Sequence, residues 1–142
     1  MKSLNKNATI IIQKLLACIN NPKYARTMGK YAKINNSNYL PVSVEKLMDI
    51  PTFDTHFVIS HTTVLNGDLM RDPEMEFVTR NGKYYPITYR QDYLGIMQEA
   101  LIYTNNGTPI KYRPDLMRDL AEFANEWMLN IEQQQHIMKE CK

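Results

Sequence analysis

Residues 75–90 read Met75-Glu76-Phe77-Val78-Thr79-Arg80-Asn81-Gly82-Lys83-Tyr84-Tyr85-Pro86-Ile87-Thr88-Tyr89-Arg90, and they predict the centre of the fold. Both arms are rich in β-branched and aromatic residues, which favour strands. Asn-Gly between two such arms is the strongest short signal for a β-hairpin. Proline has no amide hydrogen, so Pro86 predicts either that its strand lies at a sheet edge or that its missing donor faces away from a partner. This segment therefore predicts an antiparallel hairpin.

Further strands are predicted on both sides of this hairpin because the same strand-forming composition recurs between clusters of turn-forming residues. They are His56–Val64, a pair formed by Tyr31–Ile34 and Tyr39–Val44, and a second hairpin whose arms are Ile96–Tyr103 and Thr108–Tyr112. Together these segments predict an antiparallel sheet of about five or six strands.

Helices are predicted at both ends of the chain. Apolar residues recur at steps of three and four from about Asn5 to Asn20, and Pro22 ends that helix. Arg113-Pro114-Asp115 begins a second helix, with proline in its first turn and an apolar stripe that runs to about Met138. The sequence predicts one α+β domain over 1–142, with a helical segment 1–22, a mainly β segment 23–112 and a helical segment 113–140. Both helices are expected to pack on one face of the sheet.

The composition is that of a globular domain, with 44% hydrophobic and 23% charged residues among 142. The longest strongly apolar segment, Ala8–Ile19, is too short to span a bilayer, and no small-residue cleavage site follows it. We therefore expect a cytoplasmic protein with no membrane partner. The only two cysteines, Cys18 and Cys141, agree with a reducing compartment. A buried, unreactive Cys18 is the simpler interpretation, and a disulfide between the two cysteines stays open.

The net charge of +2 is unevenly distributed along the chain. Seven basic residues and no acidic residue precede Glu45, and the remainder carries all fifteen acidic residues. Four of the basic residues, Lys23, Arg26, Lys30 and Lys33, are interleaved with tyrosines on which nucleic-acid bases could stack: Tyr24, Tyr31 and Tyr39. This pattern predicts a contact with nucleic acid or a ribonucleoprotein. The alternative is a solvated surface that neutralises the acidic remainder, with the tyrosines half-buried in the sheet.

No catalytic, cofactor-binding or metal-binding motif is recognised. The acidic residues Asp68, Asp72, Glu74 and Glu76 lie close together, but they lack the alternating ligand spacing of a calcium loop. The three histidines and two cysteines show no zinc-ligand spacing. We therefore predict no catalytic residue, no metal and no cofactor.

Four motifs carry a family resemblance. They are Asn66-Gly67-Asp68-Leu69-Met70-Arg71-Asp72-Pro73-Glu74-Met75, Tyr85-Pro86-Ile87-Thr88-Tyr89-Arg90-Gln91-Asp92, Gly95-Ile96 followed by Gln98-Glu99-Ala100, and Phe123-Ala124-Asn125-Glu126-Trp127. From about Ile59 to Gln134 the chain resembles a family of uncharacterised domains carried by phages, plasmids and integrative elements, where members also occur within large polyvalent proteins. The resemblance implies an intracellular protein of a mobile element and assigns no activity.

Three hypotheses for function follow. The preferred one is a non-enzymatic binding protein, such as an anti-CRISPR-like inhibitor of a host defence nuclease, that contacts a host protein or a ribonucleoprotein with its RNA. Its predicted contact residues are Lys23, Arg26, Lys30, Lys33, Lys83, Tyr85, Tyr89 and Arg90, in which exposed aromatic side chains serve as anchors. The second is a nucleic-acid-binding module in element replication or transfer. The third is an enzyme that uses Asp68, Asp72 and Asp92 around a divalent ion.

Overall fold

The computed structural model describes residues 1–141 and contains two sheets and three α-helices. The helices are α1 (Lys6–Ala17), α2 (Pro114–Gln135) and α3 (Ile137–Glu140). The strands are β1 (Ala25–Thr27), β2 (Tyr31–Ile34), β3 (Val42–Lys46), β4 (Thr55–Leu65), β5 (Asp68–Arg80), β6 (Lys83–Gln91), β7 (Ile96–Glu99), β8 (Leu101–Tyr103) and β9 (Pro109–Tyr112). Single 3₁₀ turns occur at Cys18–Asn20 and Asp92–Leu94. This architecture confirms the predicted α+β class.

The main sheet is an antiparallel meander in which each strand pairs with the next along the chain, from β1 to β7. Its seven strands exceed the predicted five or six. The strand predicted at Tyr39–Val44 lies at Val42–Lys46 instead. The arm predicted at Ile96–Tyr103 is divided at Ala100, so that β7 pairs with β6 while β8 forms a separate two-stranded sheet with β9. Ala100 fixes the division, because its amide donates to the Ile87 carbonyl.

Two Asn-Gly turns form the sheet's tight hairpins. Asn81 and Gly82 have φ angles of 53° and 76°, the left-handed pair that a two-residue turn between twisted strands requires. Asn66 and Gly67, with φ angles of 52° and 84°, connect β4 to β5 in the same way. The acidic residues that follow Gly67 are therefore part of a strand, and the interpretation of Asp68 as a turn residue is wrong.

Both long helices lie on one face of the sheet, here called the helix face. Asn5 begins α1 by accepting a hydrogen bond at its side-chain oxygen from the Ala8 amide, at 2.9 Å. The side chains buried between the helices and the sheet include Ile12 and Leu15 of α1 and Met117, Met128 and Ile131 of α2. The predicted continuous C-terminal helix is broken at His136, whose φ of 55° ends α2 before the short α3.

A bulge in β6 changes which sheet face its side chains occupy. Glu76 pairs with Thr88, whereas Phe77 pairs with Pro86, so Ile87 is an extra residue on β6. Tyr85 consequently shares the face of Val78, while Tyr89 shares the helix face with Met75. Pro86 lies in an interior strand, but β7 pairs only with residues 88–91, so its missing amide removes no bond from that ladder.

Cys18 and Cys141 form a disulfide with their Cα atoms 5.7 Å apart, within the usual range for such a bond. The interpretation of Cys18 as a buried free thiol is therefore wrong, although both cysteines are buried. The bond attaches the residue after α3 to the end of α1 across a sequence separation of 123 residues. Among residues 1–141, no helix is both long and apolar enough to cross a bilayer.

Candidate ligand-binding groove on the open sheet face

The sheet face opposite the helices, here called the open face, is covered at one end only. Residues 48–54 and the β8–β9 hairpin lie over that end, where the Tyr103 ring meets the His56 ring edge-on with centroids 6.2 Å apart. Elsewhere, no described element covers the open face between β2 and β5. Antiparallel sheets commonly leave one face in water, so the shape and chemistry of this uncovered part decide whether it can bind a ligand.

The floor of the uncovered part is a row of polar side chains, one from each strand. Lys33 pairs with Ser43, Ser43 with Ser60, Ser60 with Glu74, and Glu74 with Arg90. Adjacent strands lie about 4.8 Å apart, so the row from Lys33 to Arg90 spans about 19 Å. The two serines are only 8% and 7% exposed although they face outward, because they lie at the bottom of a groove.

The groove has a volume of about 370 Å³, which is within the usual range for small-ligand sites. Tyr31 and Lys33 of β2 lie along one side, and Leu69 and Arg71 of β5 lie along the other. The Tyr31 hydroxyl is 3.5 Å from the Ser43 Oγ, so the half-exposed ring reaches over β3. The site thus combines an accessible aromatic face with hydroxyl groups and charges of both signs.

The charges around the groove are held by an ion-pair cluster at its β5–β6 end. Asp92 accepts hydrogen bonds from the Arg71 amide, the Arg71 Nε and the Arg90 Nε, each at 2.9 Å. These donors hold the pKa of Asp92 far below its usual range. Burial raises the pKa of Glu74, which faces the groove beside the two arginines. The Asp92 carboxylate therefore fixes the position of the Arg71 side chain.

Four of the predicted contact residues lie around the same edge of the sheet. Arg26 and Lys30 are exposed on β1 and on the β1–β2 turn, and Lys33 is half-buried in the groove. Lys23 is exposed just before β1, where its ammonium lies 3.3 Å from a Glu140 carboxylate oxygen and 5.2 Å from the Tyr24 ring centroid. Arg26, Lys30 and Lys33, here called the basic edge, thus adjoin the groove.

The other four predicted residues do not form one surface with the basic edge. Lys83 is exposed at the β5–β6 turn, and Arg90 is bonded to Asp92. Tyr85 is only 9% exposed, and Tyr89 packs on Phe123 of α2 with ring centroids 5.3 Å apart. The expectation that these two tyrosines are exposed anchors is therefore wrong, because the bulge places Tyr85 on the open face and Tyr89 on the helix face.

The three tyrosines of the basic segment have different environments. Tyr24 is 3% exposed, and its hydroxyl donates to the Asn36 side chain at 3.1 Å. Tyr39 is 60% exposed and lies beside His61 and Trp127 at a separate cavity on the far side of the β2–β3 connection. Tyr31 is the member of this set that reaches the groove, so it is the tyrosine positioned to stack on a ligand there.

The structure gives no support to a metal centre in the acidic segment. Among residues 1–141, no group of three or more His, Cys, Asp or Glu side chains is positioned to hold an ion. Asp92, one of the three carboxylates of the enzyme hypothesis, already bonds two arginines. His56 and His61 lie on opposite sheet faces, as the strand alternation predicts: His56 bonds Glu76, and His61 packs on Trp127.

The groove serines and the His56–Glu76 pair were not found by sequence reasoning. A signal for the serines was present, because Ser43 and Ser60 each stand between apolar residues of a strand and must face away from the core. Their register was not available from the sequence, and the register makes them neighbours.

The fold and groove define an α+β protein that presents an uncovered, concave sheet face. The family model described as a domain of unknown function (DUF6908) matches residues 10–137, and the chain belongs to this family. No curated protein and no solved structure matches the chain.

Proposed function

We propose that this protein is a non-enzymatic binding protein whose partner presents single-stranded RNA, as a ribonucleoprotein does. The observation that supports the proposal is the continuity of the basic edge with a groove that contains an accessible tyrosine ring. Cationic side chains attract the phosphate backbone, and an aromatic face stacks on unpaired bases. A non-covalent contact of this kind requires no catalytic group.

The basic edge supplies the electrostatic part of this proposed interaction. Arg26 and Lys30 are exposed, and neither has an ion-pair partner among the described residues, so both are available to phosphates. Lys33 lies two residues from Tyr31 on the same face of β2. A strand that follows the edge could therefore place a base on Tyr31 while its phosphates contact Lys30 and Lys33.

The test is the salt dependence of binding to a labelled single-stranded RNA. We expect Lys30→Glu/Lys33→Glu to weaken binding at low salt and to reduce the slope of log Kd against log salt by about 2, because each lost phosphate contact removes roughly one counterion from the release. Lys6→Glu/Lys111→Glu is the matched control, since it changes the net charge equally at exposed positions outside the edge. Equal effects of the two variants, or no RNA binding by the native protein, would refute the proposal.

The biological setting is a separate part of the proposal, and it is supported by the sequence resemblance alone. We propose a protein of a phage or other mobile element that acts in the bacterial cytoplasm against a host defence nuclease. Capture of partners from a host lysate tests this setting. A nuclease recovered with its guide RNA, and lost after treatment of the lysate with ribonuclease, is the expected result. Recovery of no ribonucleoprotein contradicts it.

A further inference from the structure

We infer that the groove on the open face reads one base of the bound strand, and that Glu45 makes it prefer cytosine to uracil. This inference rests on the proposed function and adds a base preference to it. Its basis is the arrangement of Tyr31, Glu45, Lys33 and Ser43 on two adjacent strands.

Tyr31 and Glu45 are direct partners in the β2–β3 register, so both side chains leave the same face of the sheet. The Cβ atoms of such a pair lie about 5 Å apart. A base stacked on the Tyr31 ring therefore has a polar edge within reach of the Glu45 carboxylate. Both side chains are half-exposed at the groove, so both are accessible to a ligand.

The backbone of the bound strand is held on the same face by a cation. Lys33 is two residues from Tyr31, about 7 Å along β2, and it also faces the groove. Its direct partner is Ser43, whose hydroxyl lies in the floor beside the Ser60 hydroxyl. The groove thus places a stacking surface, a carboxylate and an ammonium around a hydroxyl-lined floor, which suits a nucleotide better than an isolated phosphate.

The preference follows from hydrogen-bond chemistry. An ionised carboxylate accepts hydrogen bonds and donates none. Cytosine presents an amino group at the position where uracil presents a carbonyl oxygen. The carboxylate can therefore bond cytosine at that position, whereas it would face a second acceptor on uracil. Carboxylate contacts to the cytosine amino group are an established form of base recognition.

The experiment compares binding of oligocytidine and oligouridine of equal length to the full protein by fluorescence anisotropy. Both are pyrimidine strands with the same backbone charge, so the phosphate contribution is common to both. We expect the native protein to bind oligocytidine roughly tenfold more tightly. Glu45→Gln should reduce this ratio to about one, because the amide can also donate to the uracil carbonyl.

Glu99→Gln is the matched control. Glu99 lies on the same face of the sheet in β7, is exposed and is outside the groove, and its substitution changes the net charge by the same amount. It should leave the cytidine-to-uridine ratio unchanged. Circular dichroism of both variants checks that they are folded, and the native ratio is measured without any variant.

The outcomes distinguish the two proposals. Equal binding of the two strands by the native protein overturns the base preference, while the salt dependence of the basic edge can still support the proposed function. A tenfold preference that persists in Glu45→Gln overturns the role of Glu45. Binding of neither strand at low salt overturns both the proposed function and the base preference.

Discussion

His56 is hydrogen-bonded at both ring nitrogens, and both of its partners are acceptors. Its Nδ1 lies 3.0 Å from the Met48 carbonyl oxygen, and its Nε2 lies 2.9 Å from a Glu76 carboxylate oxygen. An imidazole that donates at both nitrogens carries a positive charge. Burial opposes this charge, but the hydrogen bonds to Glu76 and Met48 outweigh it and raise the pKa of His56. The His56 hydrogen bond correspondingly lowers the pKa of Glu76.

This pair predicts that stability decreases from mildly acidic to mildly basic pH. Because the pKa of His56 is higher in the folded state, its stabilisation is complete below the unfolded value of about 6.5 and is lost as the pH rises through the folded value. The free energy of unfolding, measured with urea, should therefore decrease in the native protein relative to His56→Gln between about pH 6 and pH 8. The decrease cannot exceed about 1.4 kcal/mol per pH unit, because one proton is released.

The comparison with His56→Gln is needed because a second histidine acts in the opposite direction. Burial lowers the pKa of His61, which packs against Trp127, so its contribution to stability increases with pH. The difference between the native protein and His56→Gln removes the His61 contribution, which is common to both. A difference that stays constant across this pH range would show that His56 is uncharged in the folded protein.

At the scale of single elements, the β8–β9 hairpin is held against the loop before β4 by a close backbone approach. A Cβ atom built on Gly107 would lie 1.7 Å from the Pro51 carbonyl oxygen. The Thr52 hydroxyl donates to the Gly107 carbonyl at 3.1 Å across the same contact. This contact fixes the hairpin over the covered end of the open face, so it also sets the limit of the groove.

Gly107→Ala should destabilise the protein more than Gly82→Ala. Both glycines have left-handed φ angles, 82° and 76°, so both substitutions introduce backbone strain of about 1–2 kcal/mol. A Cβ at Gly82 meets no atom within 4 Å, whereas the one at Gly107 overlaps with Pro51. We expect Gly107→Ala to lower the free energy of unfolding by about 1–3 kcal/mol more than Gly82→Ala, as measured by urea denaturation. Equal losses would mean that the hairpin moves away at no cost.

The elements that the sequence predicts well are those specified by local chemistry. Asn81-Gly82 fixes its turn, and the apolar stripe with Pro114 fixes α2. The division of the predicted arm at Ala100 depends instead on a hydrogen bond to Ile87, a distant partner. The candidate site follows the same rule, since a bulge at Ile87, which no local motif marks, buries Tyr85 and moves Tyr89 to the helix face.

At the scale of the whole molecule, contacts distant in sequence connect the ends of the chain to the sheet. The buried Gln135 at the end of α2 accepts a hydrogen bond from the Asn36 amide at 2.6 Å and donates to the Leu40 carbonyl at 3.1 Å. The Leu4 amide donates to the Tyr84 carbonyl at 2.9 Å. The disulfide adds a covalent connection between α1 and the residue that follows α3.

The disulfide predicts a redox-dependent stability. In the chain-entropy account, a cross-link that closes a loop of this length restricts the unfolded chain and stabilises the folded state, typically by about 2–4 kcal/mol. Disulfides are uncommon in reducing compartments, so in the proposed cytoplasmic setting the two cysteines would be thiols. Reduction should therefore lower the free energy of urea unfolding by about 2–4 kcal/mol and leave the circular dichroism spectrum of the folded protein unchanged.

Cys18→Ala/Cys141→Ala is the control, since it has no bond to reduce. Its stability should be the same with and without reductant, whereas that of the native protein should change. A thiol titration must confirm that the native bond has been opened, because both sulfurs are buried. If the native protein then keeps its full stability, the connection between α1 and α3 is maintained by packing and by the Lys23–Glu140 ion pair at 3.3 Å. The basic edge and the groove would in that case be equally well formed in both redox states.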